Sequence, residues 1–545
     1  MLPLVLNAYF TPLELAAIDA QAEAKTQEKP VPCIPPEPPA PPVEKEVLVL
    51  PGGSQSISDC AKKFFARLAE TGRYFLRAGV VVRVIQSDGE HVFQPVVAEA
   101  LRSISEKYFN LFVWRAGRGG EMVLKPCVMT SDQARGLFDS PFTGMLPEVK
   151  SLSACPLLLP DGRTITAGFD GTSGVFVTGC GTVVDVPLEQ AVVALSGLLA
   201  DFAFVRPGDK ARALAALITP ALRKAGFLRL CPMQINEADQ SQTGKDFLLK
   251  AITSIYLDKP ALITQRAGGV GSADESLSSR LLAGCAFPTF ANWRGKIDSP
   301  MLEALLTEER SFPTRVPYRG EVSIDPSRVC LSMTSNASAM TRDLANRSYT
   351  VRLRKKPPGY QFQKYTEGDL LDHIRANQPF YLGAVFSVVR YWMQAGQPTT
   401  QETRHDFRQW ARILDWITQN VFYAGPLLAG HEETKARLSD PAHQFARSIA
   451  VVAANTGIAG RGYSAKALAE LAFANDVEIP GCKTFDESSG ARIIGILFKR
   501  VLGDAQEISV DGYTIQVQVE QMSRPDAQGY FPMRHYYFSI EARPQ

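Results

Sequence analysis

The residues of this chain best placed to do chemistry lie in Ala238-Asp-Gln-Ser-Gln-Thr-Gly-Lys-Asp-Phe-Leu-Leu-Lys-Ala-Ile252. Gly244 followed by Lys245 is the pair a phosphate site needs. A glycine lets backbone N–H groups turn inward on the anion, and a lysine ammonium reaches the outer phosphates. Phe247, Leu248, Ala251 and Ile252 keep a helical period, so the N-terminus of a helix would face that anion. Thr243, Gly244, Lys245 and Asp246 are therefore the candidate contacts for a nucleotide, with ATP and Mg2+ as the cofactors. Two positions depart from the pattern G-x-x-x-x-G-K-[ST]: Asp239 stands at the first glycine and Asp246 at the hydroxyl that touches magnesium. A carboxylate can ligate magnesium, because hard cations prefer oxygen, yet it also adds negative charge beside a triphosphate. Gly-Lys on its own also begins ordinary helices, so the motif needs supporting elements around it.

The flanking pattern supplies them. Helix at Ala213 to Ala225, strand at Phe227 to Asn236, the loop and its helix, strand at Pro260 to Gln265, helix at Ser276 to Gly284, and strands at Ala286 to Trp293, Arg328 to Ser335 and Tyr349 to Arg354 alternate as a parallel sheet requires. Two helices with tryptophan anchors follow, Asp369 to Ala395 and Arg404 to Val421, carrying Trp392, Trp410 and Trp416. In the last block, helices at Lys466 to Asn475 and Gly490 to Leu502 precede strands at Glu507 to Val519 and Tyr530 to Ile540, the order of a winged helix-turn-helix. Arg492, Lys499 and Arg500 fall on the helix that would enter a major groove, with Arg524, Arg534 and His535 on or near the wing.

Upstream, residues 1 to 27 read as a short helix and Lys29 to Lys45 as a proline-rich tether, either a docking peptide or a tail. From Val47 to about Pro207 strands (Phe75 to Gln86, Leu111 to Val128) and a helix (Gln94 to Tyr108) alternate irregularly, with turn signals at Pro160-Asp-Gly162 and Asp170-Gly171 and no catalytic constellation. The chain thus divides into 1–46 (segment and linker), 47–207 (α+β domain), 208–360 (α/β nucleotide core), 361–440 (helical lid) and 441–545 (winged helix).

With 545 residues the chain is too long for one compact core. Its 45% hydrophobic and 21% charged content is that of a soluble globular protein, and no apolar run approaches a membrane span. Met-Leu-Pro-Leu-Val-Leu lacks the basic start of a secretory signal. Nine cysteines without a C-x-x-C pair argue against a zinc ribbon or a disulfide framework, and a reducing cytoplasm fits best. Six histidines lie without ligand spacing, so none is assigned to a metal. A net charge of +2 means that any nucleic-acid surface must be local.

Several further matches fall in order. Leu331-Ser-Met-Thr-Ser-Asn336, Thr341-Arg-Asp-Leu-Ala-Asn-Arg347 and Tyr349-Thr-Val-Arg-Leu-Arg354 resemble the sensor-1 and arginine segment of the AAA+ helicase module in phage and plasmid replication proteins, the superfamily 3 and poxvirus-type primase-helicases. Ile297-Asp-Ser-Pro-Met-Leu-Glu303, Asp372-His-Ile-Arg-Ala-Asn-Gln-Pro379, Ala395-Gly-Gln-Pro398 and Phe407-Arg-Gln-Trp410 extend the resemblance, which covers about Val47 to Ile540. It implies an AAA+-like core with degenerate Walker motifs, a helical lid and a winged helix after an α+β domain. In that frame Lys245 and Gly244 cradle phosphates, Asp246 stands at the magnesium ligand, Asn336 orients the attacking water, and Arg347, with Arg342 as competitor, is the arginine finger for a neighbouring subunit.

The departure is at Ala286-Phe-Pro-Thr-Phe-Ala-Asn-Trp293, where the family's magnesium-holding aspartate is Ala291 while the following Asn292 is kept. Glu275 in Asp274-Glu-Ser-Leu-Ser-Ser-Arg280 matches an acidic family position and is the remaining candidate to activate water; Asp274 and Glu275 equally suit the cap of a helix. The family's pore hairpin falls on Ser311-Phe-Pro-Thr-Arg-Val-Pro-Tyr-Arg-Gly-Glu321, with Arg315 and Arg319 for phosphates and Tyr318 for a base, although the same stretch suits a solvated loop. Arg352, Arg354, Lys355 and Lys356 form a further positive run. The implied function is an ATP-dependent DNA helicase or translocase in replication of a mobile genetic element, a ring, six subunits by family habit, on single-stranded or forked DNA, with primer synthesis left to a partner primase. The other reading is an ATPase-impaired DNA-binding, origin-recognition or defence assembly.

Overall fold

The computed structural model describes residues 45–540, apart from 53–54, 88–89, 118–119, 239–241, 264–271, 294–295, 317–319, 337–338, 440, 456–461, 483–485, 503–506, 511–512 and 524–529. The helix expected at 1–27 and the proline-rich tether lie outside the described residues.

At the centre is a six-stranded sheet built from β1 (Ala203–Phe204), β2 (Met233–Ala238), β3 (Ala261–Leu262), β4 (Pro288–Trp293), β5 (Ser332–Ser335) and β6 (Ser348–Arg354). Their order is β1-β6-β2-β5-β4-β3, with β2 to β6 mutually parallel and β1 antiparallel on the edge. All six residues of β2 are buried, and so are the first six of β6, as a parallel sheet covered on both faces demands. The helices α1 (Pro207–Ala225), α2 (Lys245–Ile255) and α3 (Ala273–Leu282) lie between these strands in the chain. Pro207 opens α1 at the position where its missing N–H costs nothing, and Gly226 closes it in the left-handed conformation at φ 91°.

The helices after β6 share this core. Trp392 and Trp410 are almost fully buried in one hydrophobic cluster with β2, β5, β6, α1 and α2, and that cluster also takes in Leu195, Leu198 and Phe202. Residues 188–204 therefore pack with the central sheet. A second cluster, from Leu48 to Leu146, belongs to the preceding α+β region, and a third, from Ala442 to Tyr536, to the C-terminal module.

Several elements differ from expectation for local reasons. The strand expected over Phe75 to Gln86 is a hairpin, Tyr74–Arg77 against Val80–Ser87, because Ala78 (φ 50°) and Gly79 (φ 72°) both turn left-handed. Leu111 to Val128 is likewise two strands, Phe109–Ala116 and Met122–Pro126. The helix expected from Asp369 to Ala395 is broken at Asn377 into Leu370–Ala376 and Gln378–Gln394, with Pro379 in the first turn of the second.

The C-terminal ribbon has three strands, Glu507–Val510, Tyr513–Ser523 and Tyr530–Ile540, with Val510 opposite Tyr513 on either side of Asp511-Gly512 in the sequence. A helix at Pro441–Asn455 precedes the pair Ala465–Ala474 and Glu487–Leu502, and a short bridge pairs Tyr463 with Tyr536. Three helices, a short pairing and a three-stranded ribbon make up this module. Among the described residues no helix is long and apolar enough to cross a membrane.

Candidate nucleotide site

Strand β2 ends at Ala238, and the chain re-enters the described structure at Gln242 (φ 62°) and Gly244 (φ 86°, ψ 10°), both left-handed. Gly244 is the N-cap of α2, and a Cβ there would stand 3.3 Å from the Phe202 ring. Backbone freedom and close approach both ask for glycine at this point. Leu248, Leu249, Ile252 and Ile255 bury one face of α2. This fixes where the N–H groups of its first turn point, and Asp246 is exposed in that turn. The Thr243 hydroxyl is buried without a hydrogen-bond partner among the described residues.

The Lys245 side chain is buried at 7% exposure, and its Nζ donates to Oδ1 of Asn336, 91 residues away. Asn336 follows β5 directly, and β5 is the strand beside β2. Two residues singled out for phosphate and water chemistry thus meet at the carboxyl ends of adjacent parallel strands. That is where open α/β sheets bind ligands.

A buried relay behind them was not foreseen. Tyr349 on β6 donates to Gln234 (3.2 Å), Gln234 donates to Asn236 (2.9 Å), and Asn236 donates to the Lys245 carbonyl (2.9 Å). Tyr349 lies 4.7 Å from the Trp410 ring, and Trp410 donates to Thr219 on α1 (3.1 Å). The first residue of α2 is held by side chains of β2 and β6, and the lid covers them. Gln234 and Asn236, two amides spaced two apart on a strand whose residues are all buried, were the signal.

Other expected residues fall elsewhere. Ala291 and Asn292 lie near the end of β4, one strand beyond β5, and bring no carboxylate. Asn292 is left-handed at φ 49°, and its N–H donates to Thr334 (2.9 Å). Glu275 sits in the first turn of α3, its N–H capped by Ser272 (3.3 Å), on the segment after the edge strand β3.

Arg347 precedes β6 at the opposite end of the sheet from Lys245, its carbonyl accepting from the N–H of Met233 at the start of β2 (3.0 Å). Six residues of strand separate the two ends, roughly 20 Å, beyond the reach of an arginine. Arg347 donates to the Glu303 carbonyl (2.6 Å) and pairs with Asp343 (2.7 Å), remaining 21% exposed. Arg342 opens the short helix Arg342–Asn346.

The interval carrying Arg315 is a hairpin, Phe312–Val316 against Gly320–Ile324, with Arg315 opposite Glu321; Tyr318 and Arg319 lie outside the described residues. In the positive run, Arg352 is buried at 2% exposure, its N–H donating to Asp209 (3.1 Å), whereas Arg354 and Lys355 are exposed. Tyr360 and the N–H of Gln363 are anchored on Asp201 (2.8 and 2.9 Å), next to the Phe202 that touches Gly244.

The donor set fits a phosphate: a left-handed glycine, a helix N-terminus, a buried ammonium and an unpartnered hydroxyl. For magnesium it offers the Asp246 carboxylate, and no cluster of three metal-ligating side chains occurs among the described residues. Magnesium commonly takes one or two carboxylates and completes its shell with water and phosphate.

No protein-family model matches the chain, and no curated protein does. Among solved structures, the chain is similar to one described as the A form apo structure of the NrS-1 C-terminal region, at 12% identity over 87% of this chain and 99% of that one, with a TM-score of 0.36. It is also similar to the 305–718 form of that region (10% identity, 88% and 100% covered, TM-score 0.32). A third is described as SCCmec type IV Cch, an active helicase (11% identity, 85% and 92% covered, TM-score 0.31).

Proposed function

We propose that the chain is an ATP-dependent DNA helicase or translocase acting in replication of a mobile genetic element, working as a ring, with six subunits as the expected number, on single-stranded or forked DNA. The contact of Lys245 with Asn336 carries this reading. A lysine ammonium suited to a phosphate and an amide suited to orient water meet at the carboxyl edge of a parallel sheet. ATP supplies the transferable phosphoryl group. The chain's own residues bind its phosphates (Gly244, Lys245, Thr243) and offer one carboxylate to magnesium (Asp246). The location of Arg347 supports a role on a neighbouring subunit's nucleotide, since its own is out of reach. The hairpin at Arg315, Tyr318 and Arg319 would grip the strand, while Arg492, Lys499 and Arg500 contact DNA from the winged helix.

Ala291 favours a second reading, in which nucleotide binds but is hydrolysed poorly and the protein acts as a DNA-binding or origin-recognition assembly. Steady-state ATP hydrolysis with magnesium, with and without single-stranded DNA, separates the two when run on the intact protein, Lys245→Ala and Asn336→Ala. The motor reading expects DNA-stimulated turnover lost in both variants, with ATP binding lost only in Lys245→Ala. ATP binding without turnover in the intact protein would leave the second reading.

A further inference from the structure

The helix Glu487–Leu502 packs Ile494, Phe498, Val501 and Leu502 into the core of the C-terminal module and turns another face to solvent. On that face lie Arg492, Ile496, Lys499 and Arg500, all exposed, at spacings that keep them on one side of a helix. Ile496 is 59% exposed in the middle of this basic stripe. A Cβ on neighbouring Gly495 would meet open space, so the surface beside Ile496 is flat and can be approached closely. Neither Arg492 nor Lys499 has an acidic partner among the described residues. At the start of the helix, Asp486 accepts from Ser488 and Ser489 (N–H of Ser489 at 3.0 Å, hydroxyl at 2.7 Å), so this N-terminus already holds a carboxylate and repels a phosphate.

These features argue against backbone contact alone. A helix meant only for phosphates gains nothing from a large apolar side chain at its centre, exposed to water between cations. The major groove offers one apolar group, the 5-methyl of thymine, and a bidentate acceptor pair on guanine suited to arginine. Arg492 and Ile496 are four residues apart, about 6 Å along the helix. Base pairs follow at about 3.4 Å, so the two side chains would address positions roughly two steps apart. Lys499 and Arg500, in the last turn, are placed for the flanking phosphates, and Arg534 lies exposed on the wing, in register with Val519, itself 59% exposed.

We infer that the C-terminal module reads double-stranded DNA directly, with Ile496 selecting a thymine through its methyl group and Arg492 selecting a guanine nearby. The inference rests on the DNA-binding reading of this module and adds to it a substrate class, a B-form duplex of defined sequence, distinct from the single strand assigned to the ring.

The test uses the full chain. Duplexes with a randomised central segment are selected for retention by the intact protein and sequenced, and the enriched site is remade with deoxyuridine at each thymine. The expected result is a site with an invariant thymine at which loss of the methyl lowers affinity about fourfold. Ile496→Ala should bind the thymine and uracil duplexes equally, and Arg492→Ala should lose on the order of tenfold and relax its choice at the guanine. Both side chains are exposed and alanine favours a helix, so neither change threatens folding. An enriched site indifferent to uracil, or an Ile496→Ala protein that still prefers thymine, overturns the inference while leaving duplex binding intact. Failure to retain any duplex overturns it together with the DNA reading of the module.

Discussion

Replacing Asn236 by alanine tests whether the relay beneath Lys245 holds the nucleotide site together. Asn236 is fully buried, and its amide joins Gln234 to the Lys245 carbonyl. The substitution leaves the Gln234 Nε2 without its acceptor and takes one donor from the Lys245 carbonyl. A buried polar group so stranded costs about 1–3 kcal/mol. The carbonyl sits in a helix that supplies a further donor, so its share lies at the low end and the total is about 2–4 kcal/mol.

For a core of this size, 1 kcal/mol moves the midpoint by about 2–4 °C, which predicts a fall of roughly 5–15 °C. Intrinsic fluorescence reports on the right unit, because Trp293, Trp392, Trp410 and Trp416 all belong to this cluster while Trp114 lies elsewhere. Asn420→Ala, which removes a solvent-exposed amide bond to the Trp416 carbonyl, is the matched control. ATP affinity should weaken as well, since the backbone of Lys245 is released. A midpoint shift no larger than the control's would refute the relay.

Three further outcomes follow from the geometry. His405 and His431 stack at 5.2 Å in the buried core, with burial the first cause of a pKa pushed down to about 4 for His405 and about 2 for His431. His405 is neutral by geometry too: Nδ1 accepts from the Phe407 N–H (3.0 Å) and Nε2 donates to the Ser348 carbonyl (3.2 Å). The unfolded chain protonates these imidazoles near pH 6.5 and the folded one resists. Stability should therefore fall as pH drops below 6.5, by up to about 1.4 kcal/mol per pH unit for each histidine down to its folded value, and His431→Phe should flatten the profile in denaturant melts. Ala291→Asp returns a carboxylate to the end of β4 and should raise magnesium-dependent ATP turnover at least about tenfold; unchanged turnover would mean that the missing acid does not limit hydrolysis. Arg347→Ala should lower turnover about 10³-fold, and a mixture with Lys245→Ala should recover activity that neither has alone, which a role within one subunit forbids.

How much of this was legible in the sequence depended on whether the signal was local. Gly244-Lys245 marked the start of a helix, and Asn336 followed the strand expected at Arg328 to Ser335, so both ends of the key contact were readable before any sheet order was known. The hairpin around Arg315 was readable from the resemblance. Sheet order, by contrast, depends on which strands pair, and it decides that Asn336 meets Lys245 while Ala291 stands one strand further away. The helix Pro441–Asn455 was missed although Phe445, Ile449 and Val452 keep a helical period. The Asn377 break hid because Leu371, Ile374 and Tyr381 stay buried on both sides of it. The polar relay was hidden because Gln234 and Asn236 interrupt a strand pattern, and interruptions read as noise until their partners are known.

The same sheet order separates binding from hydrolysis. Lys245 and Asn336 meet across β2 and β5, whereas Ala291, where the resemblance expects an aspartate, belongs to β4. An alanine at 291 therefore need not disturb the lysine. Asn336 is neutral, so its contact positions the ammonium without cancelling its charge. Under the proposed function, affinity for ATP and turnover of ATP then rest on different strands. Binding should survive in this chain at whatever level the loop residues set, with turnover limited by how well Asp246 alone serves magnesium. An effector that is bound and slowly hydrolysed acts through populations of states, and it can shift DNA affinity only by its own differential affinity for those states. If DNA affinity is the same with and without ATP, binding at Lys245 has no output and turnover must carry the function. If it changes, the site works with alanine at 291.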